Sequence, residues 1–154
     1  MKSKNIAQTN AMSEIEVVYR NKIKISESPK IVTSYDAAQL LRTVWSDNMD
    51  FCESFYLLCL NRAARVLGWV KISQGGLAGV VVDVRHIFAI ALKANSASII
   101  VAHNHPSENI KPSDQDIQIT KKIREAGRLF DIPLLDHVIL THENYYSFAD
   151  EGNL

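Results

Sequence analysis

His103-Asn104-His105-Pro106-Ser107-Glu108-Asn109-Ile110-Lys111-Pro112-Ser113-Asp114-Gln115-Asp116 is the stretch on which the reading of this chain turns. The run before it, Ala97-Ser98-Ile99-Ile100-Val101-Ala102, has the apolar, β-branched character of a buried strand. Side chains alternate along a strand, so His103 and His105 aim two imidazoles at one region of space beyond its end. Pro106 stops regular pairing, and Pro112-Ser113 announces a helix that opens with Asp114-Gln115-Asp116. A carboxylate in that first turn can swing back toward the histidines. Two neutral imidazoles and a carboxylate, with a fourth position for water, make the ligand count of a catalytic zinc site. The same letters also serve a local purpose. Ser113 fits a helix N-cap with Asp116 closing a capping box, although such boxes prefer Glu or Gln at that place.

Working outward, Glu53 to Leu60 is almost wholly apolar after its first residues, the pattern of a central strand covered on both faces. Asn61-Arg62-Ala63 turns it into a second strand, about Arg65 to Ile72. Gly75-Gly76-Leu77-Ala78-Gly79 lacks the spacing of a phosphate-binding loop and reads as a flexible connection. Val80-Val81-Val82 gives a short strand, and Asp83 caps a helix to about Ala94 whose buried stripe is Ile87, Phe88, Ala91 and Leu92. Upstream, Glu14 to Tyr19 reads as a first strand, and Ser34 as the N-cap of a helix from Tyr35 to Trp45. Downstream, a helix from Asp114 to about Gly127 buries Ile119, Ile123, Ala126 and Phe130, followed by strands at Leu134–Leu140 and Tyr145–Phe148. Strands alternating with helices, with a helical crossover between strands, predict a three-layer α/β domain built on a mixed sheet. Residues 1–12 are expected to form a mobile tail and residues 13–154 the domain.

Composition narrows the function. Seventeen basic residues balance seventeen acidic ones, whereas duplex nucleic-acid binders carry a clustered basic surplus. Lys121-Lys122-Ile123-Arg124 with Arg128, interrupted by Glu125, reads as the solvated face of a helix, so tight nucleic-acid binding is not expected. Cys52 and Cys59 cannot build a disulfide framework. Seven residues apart in one strand, they would point to opposite faces, as buried thiols. No run reaches the ~20 apolar residues of a membrane span, and Met1 to Asn10 lacks an apolar signal core, which makes the cytoplasm the expected compartment.

His103-x-His105-Pro106-x(6)-Ser113-x-x-Asp116 resembles the JAMM motif of MPN/JAB-domain zinc metallopeptidases. The opening His-Asn-His-Pro-Ser is similar to the RadC-like branch of that family. The resemblance runs from about residue 31 to 152. It implies an MPN/JAB fold, Zn2+ held by His103, His105 and Asp116, and hydrolysis of a peptide or isopeptide substrate. Asp136-His137 and Ser147 to Gly152 also resemble segments of that branch. His137 reads either as a hydrogen-bond partner for a ligand or as a satisfied core histidine, and stays outside the ligand set; His86 and His142 take no role. One departure stands out: Glu108 occupies a place where RadC-like loops commonly carry Gly. The longer RadC proteins also have an N-terminal helical region with no counterpart in these 154 residues.

The chemistry needs a base to take a proton from the activated water. The family pattern supplies it as a Glu on an upstream strand, and Glu53, opening a buried strand, matches that segment. Glu14 and Glu16 alternate with apolar residues as surface positions do. By the same resemblance, Ser113 helps stabilise the oxyanion of a tetrahedral intermediate, a role that competes with capping for one hydroxyl. The alternative expectation is a non-catalytic MPN module or a DNA-repair-associated RadC-type factor. An inert domain would be expected to have lost ligands, and all three are present.

Overall fold

A computed structural model describes residues 15, 16, 18–45, 49–76 and 79–154; the mobile tail expected at 1–12 lies outside these residues. Strand β1 (Ser54–Leu60) is buried at every position, as its unbroken apolar run requires. Its turn into β2 (Val66–Gln74) is set by Asn61, whose Oδ1 accepts the backbone N–H groups of Ala63 and Arg65, both at 2.9 Å, the side-chain mimicry of a turn that Asn provides. With β3 (Ser98–Asn104), β4 (Leu134–Leu140) and β5 (Tyr145–Ser147) the sheet order is β2-β1-β3-β4-β5. Strands β3 and β4 are parallel and the other pairs antiparallel. Parallel neighbours need a crossover, which α3 (Asp114–Phe130) supplies. Helix α1 (Ser34–Val44) covers one face with Ala37, Ala38 and Leu41 against Leu58, Ile100 and Val138. Helix α2 (Val84–Lys93) and α3 cover the other, with Ile87, Ala91 and Ile123 against Leu57, Ile99 and Val101. The three-layer α/β arrangement with a mixed sheet is therefore the observed one.

Local readings needed correction where letters alone do not reveal partners. Of the strand expected at Glu14–Tyr19, residues 15, 16, 18 and 19 are irregular. Ile15 is 87% exposed, and Tyr19 is anchored by its hydroxyl, which donates to the Leu67 carbonyl at 2.7 Å. Residues 80–82 form no strand either: Val80 and Val82 pack on the core while Val81 is 89% exposed, so the alternation is real but joins no ladder. The cap of α1 is Thr33, not Ser34; the Thr33 hydroxyl accepts the Asp36 N–H, and the Ser34 hydroxyl instead meets Asp150 and Tyr145. Leu92 and Phe130 are exposed by 47% and 44%, because the helical period runs on past the edge of the core. Cys52 precedes β1 rather than sharing it with the buried Cys59.

Two glycines mark close approaches. A Cβ on Gly127 would stand 2.5 Å from the Ile132 carbonyl, so Gly127 sits inside α3, where the returning chain passes, and does not end the helix. Asp131, in the left-handed region at φ 56°, ends it. A Cβ on Gly75 would fall 1.9 Å from the Gly79 carbonyl, so these two residues of the segment read as a flexible connection approach closely. Lys121, Lys122 and Arg128 are exposed along α3 with Glu125, as read.

Candidate metal centre

The alternation of β3 delivers His103 to the α2/α3 face beside Val101, and the chain end carries His105 just beyond. His103 is buried; the His105 and Asp116 side chains are 12% and 14% exposed. The two Nε2 atoms lie 2.9 Å apart. Asp116 closes the triangle, Oδ1 at 3.1 Å from His103 Nε2 and Oδ2 at 3.4 Å from His105 Nε2. Phe55, paired with His103 across β1 and β3, stacks its ring parallel to the imidazole at 6.1 Å.

The ring nitrogens turned away from the cluster decide what it can hold. His105 Nδ1 lies 2.5 Å from the Asn109 carbonyl, which only accepts, so Nδ1 carries a proton and Nε2 is the nitrogen turned toward His103 and Asp116. His103 Nδ1 lies 2.8 Å from His137 Nε2. Two imidazole nitrogens and a carboxylate converging within 4.8 Å form a donor set that fits a divalent metal. Burial lowers the pKa of His105, but hydrogen bonds to Asp116 and Asn109 and the charges of Asp116 and Glu53 outweigh it, leaving the group raised. Burial would raise Asp116; the histidines and Ser113 overrule it and hold the carboxyl far below its usual range. His137, wholly buried, is driven well below an ordinary histidine by desolvation, with His103 adding to the effect.

Ser113 is the N-cap of α3, its Oγ accepting the Asp116 N–H at 3.2 Å. It also donates its one hydroxyl proton to Asp116 Oδ2 at 2.7 Å, where the Ser113 N–H arrives at the same distance. Capping box and carboxylate ligand are therefore one object. Glu53 borders the same cleft of about 680 Å³ as the cluster, together with Gly79, Val81, Asn109 and Ile119. Its Oε2 lies 3.5 Å from where a Cβ on Gly79 would stand.

Asn104 and Thr120 escaped the sequence reading, in which His137 stands between a ligand's partner and a core histidine. Asn104, the residue between the histidines, is fully buried on the opposite face. Its Oδ1 accepts the Ser54 N–H at 2.8 Å, and its Nδ2 donates to the Met49 and Cys52 carbonyls at 2.7 and 2.9 Å. It thereby clamps the backbone on both sides of Glu53. His137 meets His103 as the first of its two readings had it, and Thr120 is the other residue missed. Thr120 stands four residues after Asp116, on the same side of the helix, which is the signal that could have found it. Glu108 sits in the left-handed region at φ 61°, where glycine is at ease, so the position is one that favours the Gly from which this chain departs. Asp136 accepts from the Ser147 hydroxyl at 2.6 Å and the Ala149 N–H at 3.0 Å, tying the C-terminal segment beside His137.

Residues 31–153 match the sequence model of the RadC-like JAB domain. Among relatives, a UPF0758 protein of Flavobacterium johnsoniae is 37% identical over 156 residues, covering 99% of this chain and 67% of its own length. One of Porphyromonas gingivalis is 36% identical over 135 residues (86% of this chain, 60% of the relative), and one of Syntrophotalea carbinolica 40% over 102 residues (66% and 45%). The chain thus spans about half to two thirds of these relatives' length.

Proposed function

The chain belongs to the RadC-like JAB domain family, and from that premise we propose that it is a zinc-dependent metallohydrolase of JAMM type, cleaving a peptide or isopeptide bond. One observation carries the reading: His103, His105 and Asp116 bring two imidazole nitrogens and a carboxylate together in an open cleft that Glu53 also borders. Zinc, when bound, supplies Lewis acidity and brings the pKa of water toward neutrality.

The remaining steps belong to side chains. Glu53 takes the proton of the attacking water and later returns it to the leaving amine, the ordinary two-way duty of a general base. Ser113 stabilises the developing oxyanion by turning its hydroxyl from Asp116 Oδ2 toward the substrate, a cost that its two remaining capping contacts limit. Phe55 and Ile119 give the cleft apolar walls. The partner is a peptide or isopeptide, and duplex nucleic acid is expected to bind only weakly, since the chain has no net charge. We place the protein in the cytoplasm, where a buried reduced thiol such as Cys59 is at home; no helix among the described residues is long and apolar enough to cross a membrane.

The test pairs elemental analysis with turnover. Wild type should carry one zinc per chain. Glu53→Gln should keep the metal and the fold, because Glu53 is not a ligand in this scheme, and lose about 10²–10⁴ in rate on any cleaved peptide or isopeptide. Equal rates would make Glu53 structural, and a zinc-loaded wild type inert across such a panel would leave a metal-binding module without this chemistry.

A further inference from the structure

The hydrogen bonds behind the cluster have a fixed direction, and it starts at an atom that cannot donate. The Asp116 carbonyl lies 2.5 Å from Thr120 Oγ1, so the threonine proton points there, the usual back-bond of Thr to the fourth residue before it in a helix. With its proton spent, Thr120 Oγ1 can only accept from His137 Nδ1, 2.6 Å away. His137 then carries its proton on Nδ1 and offers a lone pair at Nε2, which accepts from His103 Nδ1 at 2.8 Å. In the neutral ring His103 then has its lone pair on Nε2, which faces His105 Nε2 at 2.9 Å and Asp116 Oδ1 at 3.1 Å. Reversing any link would place a proton on that nitrogen and close it to a metal.

Building on the metal-site reading, we propose that Thr120 and His137 are positioning residues: a proton-ordered relay that fixes His103 in its metal-binding tautomer and ties the ligand on β3 to the ligand on α3. The relay is held rigidly. Thr120 is 2% exposed and His137 fully buried. Phe148 stacks on the His137 ring at 4.9 Å with the planes 8° apart, and Phe55 meets it edge-on at 5.6 Å. The parallel register that sets His137 beside Val101 puts both on the face that carries His103. No lone partner is left over: the relay runs from one ligand's ring to the other ligand's own backbone, so displacement of either is felt by both.

The test uses the whole chain and two readouts. In the zinc-free protein, 15N NMR of the histidine rings should show His103 protonated at Nδ1; zinc affinity is then read by competition with a chelator. Thr120→Val keeps the shape but removes both hydrogen bonds. His103 should shift toward the Nε2-protonated form, and zinc affinity should fall by roughly 10–100-fold, the usual effect of losing such a partner. Thr120→Ser restores the hydroxyl and should stay near wild type in both readouts. His137→Phe, which preserves the aromatic packing, should match Thr120→Val; if it fails to fold, the threonine pair still decides. Wild-type affinity and tautomer in Thr120→Val would overturn the relay. Failure of wild type to bind zinc would instead overturn the metal reading, while the tautomer in the zinc-free protein would still report on the relay.

Discussion

Along β3, Ile100 and Ala102 lie against the α1 layer, while Ile99 and Val101 lie against α2 and α3 in the same register as His103. From Ile100 the α1 face stays apolar until Asn104, which spends its amide on holding the backbone around Glu53. On the other face the apolar series stops one step earlier, at His103, and β4 answers with His137 in place of an aliphatic residue. The strand thus separates two demands that conflict at a single site. Burial on one side supplies stability without specificity; the other side accepts buried polar groups, which are tolerable only because each finds a partner. The difference of one residue in where hydrophobicity ends is what opens a cluster at the sheet's edge without exposing its core.

The largest effects should break that division by striking one face at a time. His103→Ala should abolish stoichiometric zinc binding, measured by elemental analysis of the folded protein. Leu58→Ala, on the α1 face opposite Ile100, should cost about 2–5 kcal/mol in denaturant unfolding, as cavities left by buried leucines do, yet leave zinc stoichiometry of the folded fraction unchanged. A Leu58 variant that folds but has lost its metal would show that the two faces are not separable.

A smaller effect sharpens the boundary at the start of α3, where cap and ligand coincide. Ser113→Ala removes the acceptor for the Asp116 N–H and the hydroxyl that donates to Asp116 Oδ2. Stability should fall by about 1 kcal/mol from the cap, and zinc should still bind, since the ligand atoms remain. Unchanged unfolding in that variant would mean that the box is geometry without energy.

How much of this was legible follows from the range of each interaction. The His-x-His spacing and the return of Asp116 are local, within one strand end and one helical turn, so sequence spacing reveals them. Glu53 was legible as the one acidic residue opening a buried run. His137 was visible as a histidine, but its contact with His103 depends on the parallel register, which includes a shift between Ile99 and Ile100, and no sequence periodicity encodes that. Asn104 was hidden because its partners are backbone groups some fifty residues upstream. Thr33 and Ser34 offer the same hydroxyl one position apart, so only the backbone decides which one caps. Val80–Val82 has the letters of a strand, but alternation reports a buried and an exposed side, not the neighbour that would complete a ladder.

The smallest effect concerns the loop that carries the cluster away from β3. Glu108 holds φ at 61°, a conformation that costs a non-glycine residue about 1–2 kcal/mol. Its carboxylate returns one contact, accepting the His142 N–H at 3.3 Å, a long bond at an exposed place. Glycine would remove the strain but bring its own extra backbone entropy in the unfolded chain, about 0.5–1 kcal/mol. The balance favours Glu108→Gly by up to about 1 kcal/mol, read as a higher denaturant midpoint at unchanged slope. Glu108→Ala keeps the strain and loses only the His142 contact, so it should be slightly less stable than wild type. If both variants lose stability equally, the carboxylate contact, not the backbone, holds the loop, and the glycine reading of this position fails. If only the glycine variant gains, then the loop beside His105 is strained in its resting form. The face that carries the cluster would then differ from the α1 face in backbone conformation as well as in its polar side chains.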